Sequence, residues 1–357
     1  MDRFNESATT PLFGLRGESA HEKVIFATDE ATGLQAIMAL YSTARGPAFG
    51  GCRYWQYANE HEALNDALRL SQGMAFKNAL ADLPFGGGKA VILRKPEVVN
   101  RTALFAAFGR LVQSVNGIYI TAEDVGTTAD DMRAVQSETA YVSGIPRAGN
   151  IYGGNPSPRT AYGVYVGLAA AVEVALGRTS LDGLTVAVQG LGSVGWDLCE
   201  RLHAAGALLI VSDIDVTKQE RAQQLFNAGV ARPDEIARST ADVFAPCALG
   251  GVITAAVAAD CHFKVIAGGA NNQLMSLADG DVLHQRGIFY APDFLVNAGG
   301  IVSCVREYEG SVYESTVLAE IAKIGGRVFE LAERVKSTGT PPARTAVEWA
   351  REKMVKS

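Results

Sequence analysis

The chain has 357 residues, 48% of them hydrophobic, with 38 acidic against 32 basic side chains and a net charge of −6. That length is enough to fill two domain cores, and the mild acidity, with a pI near 5.5, lacks the basic footprint of a nucleic-acid binder. Five cysteines (Cys52, Cys199, Cys247, Cys261, Cys304) are odd in number and show no CxxC spacing, which argues against a zinc site or a disulfide framework and for buried thiols in a reducing cytoplasm.

The polar leader MDRFNESATTPLFGLRG has no apolar core of a signal peptide, and no later run is long and uncharged enough to span a bilayer, so a cytoplasmic location is expected. Residues 23–28 (KVIFAT) and 34–43 (LQAIMALYST) read as strands joined by a turn-rich DEATG. The following GPAFGG places Phe49 beside the bare backbone of Gly50 and Gly51, where a ligand can approach.

A helix starting near Asn59 carries Lys77, which lies at helical spacing from Leu70, Gly73 and Met74 and therefore on the apolar face. A lone cation there is costly to bury. Either its stem snorkels the head to water or an anionic ligand meets it. Lys89 follows Gly86, Gly87 and Gly88 and precedes a strand-like AVIL, so a second ammonium emerges where glycines allow close approach; an ordinary loop is the plainer reading of the triplet. A helix over 96–116 and a short strand over 118–121 come next. Asp124 then stands ahead of a helix beginning at Thr127 or Thr128, with Asp130 and Asp131 in its first turn. It is either a turn carboxylate or, with Lys89 and the Gly50–Gly51 pair at neighbouring strand edges, part of one site.

Residues 144–158, dense in Gly, Pro and Asn, read as a linker, and 160–176 as a long apolar helix. The run 184–189 suits a buried parallel strand. It leads into GLGSVG, a helix through His203, a strand over 208–212 and Asp213. A strand before the glycines, a helix after them and an acidic residue about twenty positions on make the full dinucleotide-binding context. Gly190, Gly192, Ser193, Val194 and Gly195 would set a pyrophosphate on the helix N-terminus. Asp213 would accept from ribose hydroxyls and repel a 2′-phosphate, favouring NAD over NADP. Strands near 242–245, 265–267 and 288–290 end in PCALGG, GGANNQ and PDFLVNAGG, whose Asn271, Asn272 and Asn297 are ligand contacts or turn residues. From Ser311 the chain is mostly helical, with one break at 339–342.

Nine motifs follow one another along nearly the whole chain: GPAFGGCR from Gly46, GMAFKNA from Gly73, PFGGGKAVI from Pro84, TAEDVGT from Thr121, NPSPRTAYGV from Asn155, VQGLGSVG from Val188, FAPCALGG from Phe244, AGGANNQL from Ala267 and PDFLVNAGG from Pro292. In these the chain resembles the glutamate/leucine/phenylalanine/valine dehydrogenases, and specifically their leucine, valine and phenylalanine branch. The resemblance implies two α/β domains separated by a cleft. A substrate-binding and oligomerisation domain over 1–145 would be completed by C-terminal helices 326–357, and a Rossmann NAD-binding domain would span 146–325, with 144–158 as one hinge. It also implies a homo-oligomer, while the composition leads us to expect no metal, nucleic-acid or membrane partner.

The implied reaction is reversible oxidative deamination of an L-amino acid by NAD and water to the 2-oxo acid, ammonia and NADH. By motif position Lys77 binds the substrate carboxylate, Lys89 is the general base for water attack on the iminium, and Asp124 shuttles protons at the nitrogen. Lys89 must then be partly neutral, which the like charge of Lys77 and the exclusion of water would favour. Gly50 and Gly51 flank the substrate, and Asn271 or Asn272 holds its α-amino or carboxylate group. The side-chain pocket falls on Phe49, Met74, Ala122, Ile301 and Cys304, and the cofactor contacts extend to Cys247, Ala248, Asn297 and Thr160.

Phe49 stands where leucine is common, and Arg159 where an apolar residue is usual; that arginine would pair with another subunit or read an acidic substrate group. Ala122 resembles the leucine and valine enzymes. A branched-chain substrate is therefore expected. The alternatives are an aromatic (phenylalanine or tryptophan) substrate and a non-catalytic NAD-binding protein of the same fold, against which the intact Lys77, Lys89 and Asp124 argue.

Overall fold

The structure, a computed structural model, describes residues 21–96, 100–145, 153–310 and 313–355. The leader, the middle of the expected hinge (146–152) and Ser311 lie outside the described residues.

The first half runs β1 (Lys23–Asp29), β2 (Leu34–Ser42), β3 (Ala48–Phe49), β4 (Cys52–Trp55), α1 (Glu60–Leu80), β5 (Gly86–Leu93), α2 (Arg101–Ser114), β6 (Tyr119–Ile120) and α3 (Ala129–Gln136). Its sheet has the order β1-β2-β5-β3-β6, with β4 also pairing β5. The β1–β2 and β2–β5 pairs are antiparallel, whereas β3 and β4 run parallel to β5. β2 reads as a continuous apolar run because both of its faces are covered. Met38 and Leu40 pack with Phe105 and Phe108 of α2, while Ile37 and Ala39 pack with Ala63, Leu64 and Leu68 of α1. The helix expected over 96–116 starts only at Arg101, where Asn100 caps it by accepting from Ala103 N at 3.0 Å.

The glycines before Lys89 form the start of β5 and not a loop. A Cβ on Gly87 would lie 2.1 Å from Ala75 N, and one on Gly86 would lie 2.0 Å from Ser42 O. What these glycines approach closely is therefore the backbone of α1 and the end of β2, and no ligand is needed to explain them.

The second half contains α4 (Ser157–Leu176), β7 (Thr185–Gln189), α5 (Ser193–Ala204), β8 (Leu208–Ser212), α6 (Val216–Phe226), β9 (Gly229–Val230), β10 (Val243–Pro246), α7 (Ala255–Asp260), β11 (Val265–Ile266), α8 (Leu277–Gln285), β12 (Phe289–Tyr290) and α9 (Asp293–Val296). Its sheet is parallel throughout, in the order β12-β11-β10-β7-β8-β9. This is the doubly wound order, in which ligands bind beyond the carboxyl ends of the strands where the winding reverses, here between β7 and β10.

The chain closes with α10 (Gly299–Glu309), α11 (Glu314–Thr338) and α12 (Pro342–Val355), broken at Gly339, which takes φ 70°. Val302, Val305, Val317, Ile321 and Ile324 pack with Leu83, Phe85 and Ile120 of the first half. Val328, Leu331 and Trp349 join Leu168 and Val186 of the second half and Phe76 and Leu80 of α1. These helices therefore tie the two sheets together. Among the described residues no helix is long and apolar enough to cross a membrane.

Candidate active site

Helix α1 begins where Asn59 accepts from Glu62 N at 2.9 Å, and it delivers Lys77 to its last turn with the side chain turned inward, 8% exposed. Lys77 Nζ donates to Asn271 Oδ1 at 3.1 Å, and Asn297 Nδ2 donates to the same oxygen at 3.0 Å. Lys89, inside β5 and almost wholly buried, pairs its Nζ with Asp124 Oδ2. Asp124 is positioned by the turn before α3, where its N–H donates to Thr127 Oγ1 at 2.8 Å. A capping box between Thr128 and Asp131 starts that helix.

Lys77, Lys89 and Asp124 all line one cavity of about 830 Å³, together with Gly51, Met74, Ala122, Asn271, Asn272, Ile301 and Cys304. Burial pulls the Lys77 ammonium down to about 8, against the opposing pull of the nearby Asp293 carboxylate. Burial pushes the Asp124 carboxyl up, but Lys89 and then Arg53 outweigh it and hold this group well below the usual carboxylate range. Asp293, buried, is pushed up by desolvation, although Asn272 N–H donates to it at 2.8 Å and Tyr290 OH at 3.0 Å.

Phe49 and Gly50 fall outside the cavity wall. The Phe49 ring is fully buried, edge-on to Phe85 at 5.2 Å and to Tyr308 at 5.8 Å, and it belongs to the same apolar cluster as Ala122, Ile301 and Cys304. It therefore backs the pocket from behind. Gly50 is required by packing, since a Cβ there would lie 1.9 Å from Gly88 O. Arg159 pairs with Glu314 of its own chain, and neither of the partners expected for it is needed to explain that contact.

The opposite wall is the end of the parallel sheet. Gly192, Ser193, Val194, Cys247, Ala248, Asn297 and Thr160 line the cavity, whereas Gly190, Gly195 and Asp213 stand outside it. Gly190 takes φ 92° and a Cβ on it would meet Ala248 Cβ at 2.8 Å; a Cβ on Gly195 would lie 1.9 Å from Gly190 O. Those two glycines serve the tight turn and the strand–helix packing. Gly192 differs, for nothing lies within 4 Å of its would-be Cβ, and no side chain caps the α5 N-terminus there. An open, uncapped helix end at the switch point suits a dinucleotide phosphate. Asp213 directly follows β8 and is braced against the glycine loop, accepting from Leu191 N at 2.5 Å and Asp215 N at 2.9 Å.

Sequence reasoning overlooked Arg53, Tyr57, Asp66, Glu123 and Leu249, which also line the cavity. The available signal for Arg53 was a charged side chain within a short buried strand and inside one of the quoted motifs. All five cysteines are free thiols, and among the described residues no group of His, Cys, Asp or Glu is arranged to hold a metal.

Residues 20–141 match the family model for the Glu/Leu/Phe/Val dehydrogenase dimerisation domain, and residues 211–346 match the model for Glutamate/Leucine/Phenylalanine/Valine dehydrogenase. The chain belongs to the Glu/Leu/Phe/Val dehydrogenase family. It is 46% identical to leucine dehydrogenase of Bacillus subtilis (strain 168), over 96% of this chain and 94% of that protein. It is 48% identical to leucine dehydrogenase of Geobacillus stearothermophilus, over 88% and 86%. The crystal structure of L-tryptophan dehydrogenase from Nostoc punctiforme superposes with a TM-score of 0.78 at 39% identity, covering 94% of this chain and 96% of that one. As a Glu/Leu/Phe/Val dehydrogenase the protein is an oxidoreductase, an amino-acid dehydrogenase dependent on a nicotinamide dinucleotide, with the two-sheet α/β architecture expected of the family.

Proposed function

We propose that the protein catalyses the reversible NAD-dependent oxidative deamination of branched-chain L-amino acids of the leucine and valine type in the cytoplasm. The observation that carries this reading is that Lys77, Lys89 and Asp124 share one cavity with the open N-terminus of α5. The residues on that side fit a dinucleotide, which when bound supplies the hydride acceptor. Gly192, Ser193, Val194, Cys247, Ala248, Asn297 and Thr160 would hold it. Asp213, an anion braced beside the glycine loop, would disfavour a 2′-phosphate and select NAD.

On the other wall Lys77 takes the substrate carboxylate, with Asn271 or Asn272 orienting the α-amino group. Lys89 receives a proton from the water that attacks the iminium. Asp124 receives and returns protons at the nitrogen as the carbinolamine collapses. Met74, Ala122, Ile301 and Cys304 offer an apolar pocket, backed by Phe49, which suits a short aliphatic side chain better than a ring. We assign residues 1–145 with 326–357 to substrate binding and self-association, and 146–325 to the cofactor.

The test is formation of reduced nicotinamide at alkaline pH with L-leucine, L-valine, L-phenylalanine, L-tryptophan and L-glutamate. Leucine or valine is expected to turn over fastest, with NADP supporting only a small part of the NAD rate. Fastest turnover of an aromatic substrate would favour the reading suggested by the tryptophan-dehydrogenase relative, and equal rates with both dinucleotides would show that Asp213 does not select.

A pH dependence of binding follows from Lys77. Only its ammonium pairs with a carboxylate, and burial draws it down to about 8. In the amination direction the KM for a 2-oxo acid, whose carboxylate stays ionised throughout, is expected to be flat below that pH. Above it KM should climb by up to about tenfold per pH unit. A KM that is unchanged across this range would take Lys77 out of substrate binding.

A further inference from the structure

Arg53, on β4, stands in the wall of the same cavity, and the scheme above leaves it without a task. Its guanidinium, 17% exposed, is shared unequally between two carboxylates. Nη1 donates to Asp66 Oδ2 at 2.8 Å, whereas Nε stops 3.8 Å from Asp124 Oδ2, beyond hydrogen-bond reach. That Nε is buried and has no hydrogen-bond acceptor. An orphaned buried N–H is costly, so the guanidinium is being held back from a carboxylate that would satisfy it. The restraint is Asp66, which projects from α1 and also accepts from Tyr57 OH at 2.6 Å.

We propose that Arg53 is a positioning residue for the deamination: a permanent cation, tethered by Asp66, which Tyr57 holds in turn, that stands beside Asp124 as a counter-charge without locking it into a hydrogen-bonded fork. This rests on the reading of Lys89 and Asp124 as the proton-handling pair. When Lys89 gives up its charge during the cycle, a buried Asp124 needs another counter-charge, and an arginine cannot lose its proton. A full guanidinium–carboxylate fork would bind the anion too tightly for it to accept a proton readily.

The other groups around Asp124 cannot fill this role. Lys77 from α1 is weakened as a cation by burial, and the neighbouring Glu123 is itself acidic. Burial keeps Cys52 of β4, Tyr119 of β6 and Tyr57 neutral by pushing each of them up. Among the described residues Arg53 is the one unconditional cation beside Asp124.

The experiment is the pH dependence of kcat/KM for the amino acid that turns over fastest, in the wild type, Arg53→Gln, Arg53→Lys, Asp66→Asn and the Arg53→Gln/Asp66→Asn double variant. Its acidic limb belongs to the Lys89–Asp124 pair as a unit. Arg53→Gln removes a positive charge and is expected to move the limb up by about one pH unit, with Arg53→Lys falling between it and the wild type. Asp66→Asn releases the guanidinium onto Asp124 and is expected to move the limb down and to lower kcat. In the Arg53→Gln background the same Asp66 change should move nothing, because its effect passes through Arg53.

An equal downward shift with and without Arg53, or losses of kcat with an unmoved limb, would overturn the proposal. Should Arg53→Gln fail to fold, Arg53→Lys takes its place as the background: an Asp66→Asn shift clearly smaller there than in the wild type supports the tether, and an equal one refutes it. A wild-type protein that turns over no amino acid would instead overturn the deamination reading, and this inference with it.

Discussion

Replacing Lys89 with alanine is expected to lower amino-acid turnover by about 10²- to 10⁴-fold while leaving NADH binding intact. That range is what a positioned acid–base group contributes. The substitution reaches the chemistry without disturbing the sheet, because β5 is held by backbone pairing to β2, β3 and β4, which the side chain does not enter. It leaves Asp124 with Arg53 as its nearest cation, at 3.8 Å, so the carboxylate stays in place but has lost the group with which it exchanges protons. Steady-state kcat gives the loss, and quenching of protein fluorescence by NADH shows that the cofactor wall survives. Turnover close to that of the wild type would remove Lys89 from the proton path. Partial recovery of activity on adding small primary amines would confirm that a missing amine, and not a distorted cleft, accounts for the loss.

The largest stability effect is expected at a residue that no motif pointed to. Glu307, near the end of α10 and 2% exposed, accepts from three backbone N–H groups: Gly144 at 2.7 Å, Ile145 at 2.8 Å and Gly154 at 2.9 Å. These donors sit on either side of residues 146–152, so one carboxylate fastens both flanks of that segment to α10. Glu307→Ala leaves all three without their acceptor at a buried position. At about 1–3 kcal/mol for each orphaned donor, the loss should be on the order of 3–6 kcal/mol once partial rehydration is allowed for. Thermal unfolding followed by circular dichroism should show a Tm lower by several degrees. Glu307→Gln, which keeps one acceptor oxygen and turns the other into a donor, should fall between. A Tm within a degree of the wild type would mean that other contacts hold these flanks.

The two residues differ in how far the sequence reveals them. Lys89 is legible because its neighbours in the chain encode it: a strand-like run after three glycines, inside a motif that the family shares. Even so, of the two readings of those glycines the ordinary loop fails and the close approach holds, but to protein backbone. Their true neighbours are Ala75 of α1 and Ser42 of β2, which no local pattern names. Glu307 resembles a surface glutamate on a helix, and only the return of the segment around Gly144 against α10 makes it a buried acceptor.

The wider division between the two kinds of knowledge follows the range of the forces involved. Strand, glycine turn, helix start and the terminal Asp213 are short-range matters of backbone conformation and period, so the dinucleotide half could be read from the chain alone, as could the inward aim of Lys77 from its helical spacing and the family from the order of its motifs. What lies opposite each face is a matter of packing between distant segments. Lys77 and Asn271 meet across 194 positions. Phe49 withdraws behind the pocket onto Phe85 and Tyr308, and Arg53 is held off Asp124 by a carboxylate from another element. Periodicity states which side of an element is buried; only the folded chain decides what it is buried against, and at this site that partner sets both the charge state and the reach of each group.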